Sequence, residues 1–152
     1  MTETDEPTIA CGIILYCSID DERRFLLLRN ARHQSWGFAK GHQDSGESLI
    51  KCAVREVHEE TGYQLDPAGV FAEFNDCATY QPAVGTGLKR SIMFLARTEV
   101  PAEALQISNE HDKSAWCELN EALELLQHSQ LQTCLLRASD YLDHFHEAAS
   151  RP

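Results

Sequence analysis

The apolar positions of this chain fall into short runs at one end and into helical stripes in the middle and at the other. Ile9-Ala10-Cys11-Gly12-Ile13-Ile14-Leu15-Tyr16-Cys17 is mostly apolar and short, which predicts a buried strand. Asp20-Asp21-Glu22 predicts a turn, and Phe25-Leu26-Leu27-Leu28 a second strand. Residues 29–46 carry Asn30, Gly37, Gly41 and Gly46 and predict mainly loop, with a short strand at Trp36-Gly37-Phe38. Near Glu47 or Ser48 the period changes. Leu49, Ile50, Cys52, Ala53 and Val57 form an apolar stripe at helical spacing, and Gly62 supplies a C-terminal stop.

Beyond it, Val70 to Phe74 and Ser91 to Ala96 read as strands, and Ala115-Trp116-Cys117 as a short one. Glu118-Leu119-Asn120 leads into a helical stretch with Ala122, Leu123, Leu125 and Leu126 apolar. A last helix is expected around Leu131 to Ala148, with Leu135, Leu136, Tyr141, Leu142 and Phe145 as its apolar positions. No repeat, low-complexity stretch or linker interrupts this order. The expectation is a flexible tail over residues 1–7 and a single domain over 8–148, a mixed sheet covered by helices.

The chain has 152 residues, enough to bury a core without disulfides or a structural metal. Its formal net charge of −11 argues against general binding to nucleic acid or to an anionic membrane, both of which want a basic face. No apolar run reaches membrane-spanning length. None of the six cysteines forms a Cys-x-x-Cys pair, and the acidic start Met1-Thr2-Glu3-Thr4-Asp5-Glu6-Pro7 lacks a secretory apolar segment. Reduced thiols in a cytoplasmic protein are therefore expected. Oligomeric state is not legible.

The stripe that begins the middle helix shares it with a cluster of charge. At about 100° per residue, Glu56, Glu59 and Glu60 fall within one arc. Like charges at i, i+3 and i, i+4 destabilise a helix by a few tenths of a kcal/mol each. They also stand toward the C-terminal end, where the helix dipole disfavours them. An acidic run is more often a solvated face. A cluster that costs stability twice, however, is explained by a hard divalent cation with oxygen ligands.

The stretch Gly41 to Tyr63 decides between these readings. It resembles the Nudix box, G-x5-E-x7-R-E-U-x-E-E-x-G-U with U a bulky apolar residue. Gly41, Glu47, Arg55-Glu56-Val57, Glu59-Glu60 and Gly62 all fall in register, and Tyr63 takes a slot more usually aliphatic. The resemblance implies a Nudix-type α/β/α sandwich with a mixed central sheet. It implies a Mg²⁺-dependent hydrolase of phosphoanhydride bonds, with Mn²⁺ as an alternative. Glu56 and Glu60 would be the main metal ligands, Glu59 a ligand or general base, and a backbone carbonyl at Gly41 or Lys40 would complete the site. Arg55 would pair with Glu47 and hold the helix against the preceding loop.

Flanking segments resemble the asymmetrical diadenosine tetraphosphate hydrolases within that family. These are Trp36 with Lys40-Gly41-His42, and Ser108-Asn109-Glu110-His111 ahead of Trp116. That likeness implies a metal or catalytic role for Glu110. It implies phosphate contacts from Lys40, His33 and Lys89 or Arg90, and stacking of adenine on Tyr80. Phe38-Ala39 stands where that group commonly has Pro-Pro. The expected substrate is a nucleoside polyphosphate, cleaved to ATP and AMP if it is diadenosine tetraphosphate. The alternatives are a nucleoside triphosphate or nucleoside-diphosphate-sugar pyrophosphohydrolase, and a non-catalytic nucleotide-sensing module.

Overall fold

The computed structural model describes residues 8–71, 73–80, 87–99 and 105–150, except the side chains of Tyr80 and of residues 146–150. The tail expected over residues 1–7 lies outside the described residues. The elements run β1 (Thr8–Ile19), β2 (Glu22–Asn30), β3 (Trp36–Gly37), β4 (Ala39–His42), α1 (Leu49–Thr61), β5 (Asp76–Tyr80), β6 (Lys89–Arg97), β7 (His111–Cys117), α2 (Leu119–Leu125) and α3 (Ser129–Ser150).

The sheet is mixed. β1 pairs in parallel with β6 along one edge, from Thr8↔Lys89 to Tyr16↔Arg97. Its other edge is shared: the N-terminal half pairs with β4 and the C-terminal half with β2, both antiparallel. β5 extends the sheet beyond β6, while β3 and β7 pair with β2. Ile19 faces Glu22 across Asp20 and Asp21, both at positive φ (54° and 66°). That is the twist a two-residue hairpin turn demands, and Asp tolerates it better than most residues.

The unbroken apolar run of β1 now has its cause, because both faces are buried. Cys11, Ile13 and Leu15 point to one cluster with Leu26, Leu28, Phe94 and α1's Cys52, Ala53 and Val57. Ile14 and Tyr16 point to the other, with Phe25, Leu27, Leu95 and the inward residues of α2 and α3. The result is an α/β/α sandwich, with strand alternation dividing residues between two cores. Among the described residues no helix is long and apolar enough to cross a membrane.

Two expectations are corrected. The described residues of the stretch from Val70 to Phe74 form no strand. Pro67–Gly69 forms a 3₁₀ turn capped by Asp66, and only an isolated bridge joins Val70 to Ala96. The strand in that region lies later, at Asp76–Tyr80, in a mixed stretch without a long apolar run to announce it. The segment through Lys40 and Gly41 is not loop but β4, pinned by Ala10↔His42 through Ile13↔Ala39. Its pairing is wholly long-range, so local propensity misses it.

Candidate functional site

α1 presents the acidic face. Ser48 caps its start by accepting from the Lys51 N–H at 3.2 Å. Gly62 ends it at φ 81°, its N–H donating to the His58 carbonyl. Cys52, Ala53 and Val57 are fully covered on the sheet side. This fixes the helix's rotation, so Glu56 and Glu60 turn toward β4 and Glu59 faces outward.

β4 comes close enough to leave no room for a side chain at Gly41. A Cβ there would coincide with the carboxylate of Glu56. Gly41 and Gly46, both ahead of the helix, therefore differ in purpose. Gly46 sits at φ 79° with open space around it, a turn requirement, whereas Gly41 is not in the left-handed region and is needed for close approach.

Arg55 organises the carboxylates. Its Nε and Nη2 donate to the two oxygens of Glu47 at 2.7 and 3.0 Å, a bidentate fork. Nη1 donates to Glu56 at 2.9 Å and to Glu59 at 3.1 Å, and Nη2 also reaches the His42 carbonyl at 2.9 Å. The guanidinium, helped by the Asp44 N–H, holds Glu47 down to about 2. Burial raises the pKa of Glu56, and Arg55 opposes that rise.

Glu60 is the most deeply placed carboxylate, at 4% exposure. Burial first, and then the charge of Glu56, push its pKa up to about 8. The Lys40 N–H bonds the carboxylate and works the other way. Glu60 Oε2 is buried with no hydrogen-bond partner among the described residues. Buried polar atoms are rarely left so, and an orphaned carboxylate oxygen beside a second carboxylate suits a divalent cation. As they stand, no three His, Cys, Asp or Glu side chains among the described residues close around one point. Arg55 draws Glu56 and Glu59 toward itself, which satisfies mutually repelling groups.

The glutamates open onto a cleft of about 690 Å³. Asp44, Glu56, Glu59, Glu60 and Glu110 line it against Lys40 and Lys89. A smaller cavity of about 240 Å³ adjoins it, sharing Lys40, Glu60 and Glu110 and continuing to Trp36, Phe38, His111, His128 and Leu131. Of the sequence-predicted residues, Glu56, Glu59, Glu60, Gly41, Lys40, Lys89 and Glu110 meet in the cleft. Glu47 and Arg55 stand behind it. Arg90 is exposed and donates to Thr79 at 3.5 Å, one residue out of phase with Lys89. His33 is exposed in the turn after β2 and lines neither cavity. The strand register places Tyr80 opposite Lys89, but its side chain lies outside the described residues.

Sequence reasoning missed His111 and His128. The signal for His111 was its place after Glu110. His128 lies between α2 and α3, where no periodicity marks it.

A family model described as NUDIX domain matches residues 9–138. An asymmetrical bis(5'-nucleosyl)-tetraphosphatase from Caenorhabditis elegans is 28% identical over 138 residues, covering 90% of this chain and 97% of that one. One from Rattus norvegicus is 30% identical over 144 residues, covering 88% and 94%. The crystal structure of a C. elegans Ap4A hydrolase binary complex superposes with a TM-score of 0.82 at 26% identity, covering 90% of this chain and 98% of that one.

Proposed function

The chain belongs to the NUDIX family of hydrolases, and we propose that within it the chain is a Mg²⁺-dependent hydrolase, with Mn²⁺ able to substitute, that splits diadenosine tetraphosphate into ATP and AMP. One observation carries this reading. An acidic cleft continues past Lys40 into a second cavity, where Trp36, Phe38 and Leu131 stand among the polar side chains of Asn30, Ser35, His111 and His128. A mononucleotide would leave part of that space empty, whereas four linked phosphates and a second base need it.

Glu56, Glu60 and Glu110, with a carbonyl of β4, are the groups suited to hold the metal. Five carboxylates against two lysines would repel a polyphosphate, so the substrate needs the cations these side chains bind. A metal held there would neutralise phosphate oxygens and acidify a water. Lys40 and Lys89 neutralise phosphates farther along the chain. Glu59, more than half exposed and steadied by Arg55, accepts the proton as the water oxygen bonds to the phosphate next to one adenosine. The bond from that phosphate to its bridging oxygen breaks, and ATP leaves. Trp36 and His128 offer one base a flat contact, and we assign the other base to Tyr80, which pairs with Lys89 across the strands. All six cysteines are free thiols, which supports the cytoplasmic placement.

The test is turnover of a panel in ¹⁸O-labelled water with and without Mg²⁺. The expected result is one label in AMP, none in ATP, and slower hydrolysis of ATP and of nucleotide sugars. A nucleotide sugar turning over faster than any dinucleotide, or a split to two ADP, overturns the substrate assignment.

Arg55 gives a second expectation. It does not itself line the cleft but positions three glutamates, so Arg55→Lys, which loses the planar fork, should lower kcat by about a hundredfold with little change in KM, the size expected of a misplacement near 1 Å. A loss confined to KM would mark Arg55 as a substrate contact instead.

A further inference from the structure

The reading above leaves one buried contact beneath the cleft unexplained. The His111 side chain is 10% exposed, and its Nε2 lies 3.7 Å from Glu60 Oε1. Its Nδ1, like Glu60 Oε2, has no hydrogen-bond partner among the described residues.

The backbone holds this imidazole firmly. The strand register shifts between Arg29 and Asn30, so that His111 rather than Asp112 stands opposite Asn30. Such a bulge re-aims a side chain. The extra residue, Asp112, is gripped by Arg29 through two bonds of 2.8 Å. The Ser108 N–H donates to the Glu60 carbonyl at 3.2 Å, and the His111 N–H to the Ser108 carbonyl at 3.1 Å. The Ala31 N–H donates to the Glu110 carbonyl at 2.9 Å. Residues 108–111 are thus tied both to the end of α1 and to the end of β2.

We propose that His111 is the positioning residue of Glu60: its imidazole, with Nε2 3.7 Å from Oε1, flanks the carboxylate and, with the Lys40 N–H, orients it so that Oε2 faces the divalent cation. This inference rests on the metal-site reading given above. Groups behind a metal ligand fix its orientation and basicity, and losing one costs about 10–100-fold in metal affinity. Arg55 of α1 does not take this part, its bonds going to Glu47, Glu56 and Glu59.

Two amides separate positioning from mere space-filling. Gln at position 111 places an amide nitrogen near that of Nε2, whereas Asn places one near Nδ1. Mn²⁺ binding is read by electron paramagnetic resonance of the free ion, without substrate. His111→Asn and His111→Leu should bind Mn²⁺ about 10–100-fold more weakly, and His111→Gln should recover most of the loss. If His111→Leu does not fold, the Gln and Asn pair decides alone. Equal affinities throughout, or Gln as weak as Asn, overturn the assignment. A wild type that binds no Mn²⁺ overturns the metal site and this inference together, whereas wild-type binding with indifferent variants overturns only this inference.

Discussion

Glu60→Gln should lose about a thousandfold in Mg²⁺-dependent turnover while making the metal-free protein more stable at pH 8. The two effects have one cause. Glu60 is buried beside Glu56, and its pKa stands at about 8 against an ordinary 4.5. Without metal the folded state holds a proton that the unfolded chain releases, so stability falls as pH rises from about 4.5 to about 8. A neutral amide removes that penalty. It also removes an anionic ligand, and several kcal/mol of transition-state stabilisation with it, each 1.36 kcal/mol being tenfold in rate. The same linkage predicts that metal binding expels a proton below pH 8, and that affinity strengthens as pH rises toward that value. Thermal melts with and without Mg²⁺ between pH 5 and 9, alongside turnover, check both halves. A variant that is less stable than the wild type without metal at pH 8, or that keeps its turnover, removes Glu60 from the site.

Gly41→Ala should weaken metal binding by about 10–100-fold, the range seen when a ligand's support is disturbed, and should lower turnover with it. The added methyl would occupy the place of the Glu56 carboxylate. The carboxylate must then swing away from β4 and give up its 2.9 Å bond to Arg55 Nη1. Because Gly41 is not at positive φ, alanine brings no backbone strain there, and the strand should remain paired with β1. Gly46→Ala is the matched control. It has open space but φ 79°, so it should lose thermal stability and leave Mn²⁺ affinity nearly unchanged. The opposite pattern, with metal affinity lost at position 46 and kept at 41, would falsify the account of the two glycines.

The local chain determined a good deal. The spacing from Gly41 to Tyr63 indicated the catalytic helix, its stop at Gly62 and the carboxylate arc, because helical periodicity and capping are short-range properties. The unalternating run of β1 announced a buried strand for the same reason. What the tertiary structure decided was everything that depends on register and approach. β4 exists only because β1 lies beside it, and Gly41's role appears only when Glu56 is seen against it. The strand read at Val70 to Phe74 lies instead at Asp76–Tyr80, where pairing with β6 selects a stretch of mixed composition. Lys89 and Arg90 are equivalent as letters, and strand alternation sends one into the cleft and the other away from it. His111 reaches Glu60 through a bulge, and His128 reaches the second cavity from between two helices. Neither can be read along the chain, because the groups that give each its meaning are distant in sequence and brought together only by the sandwich.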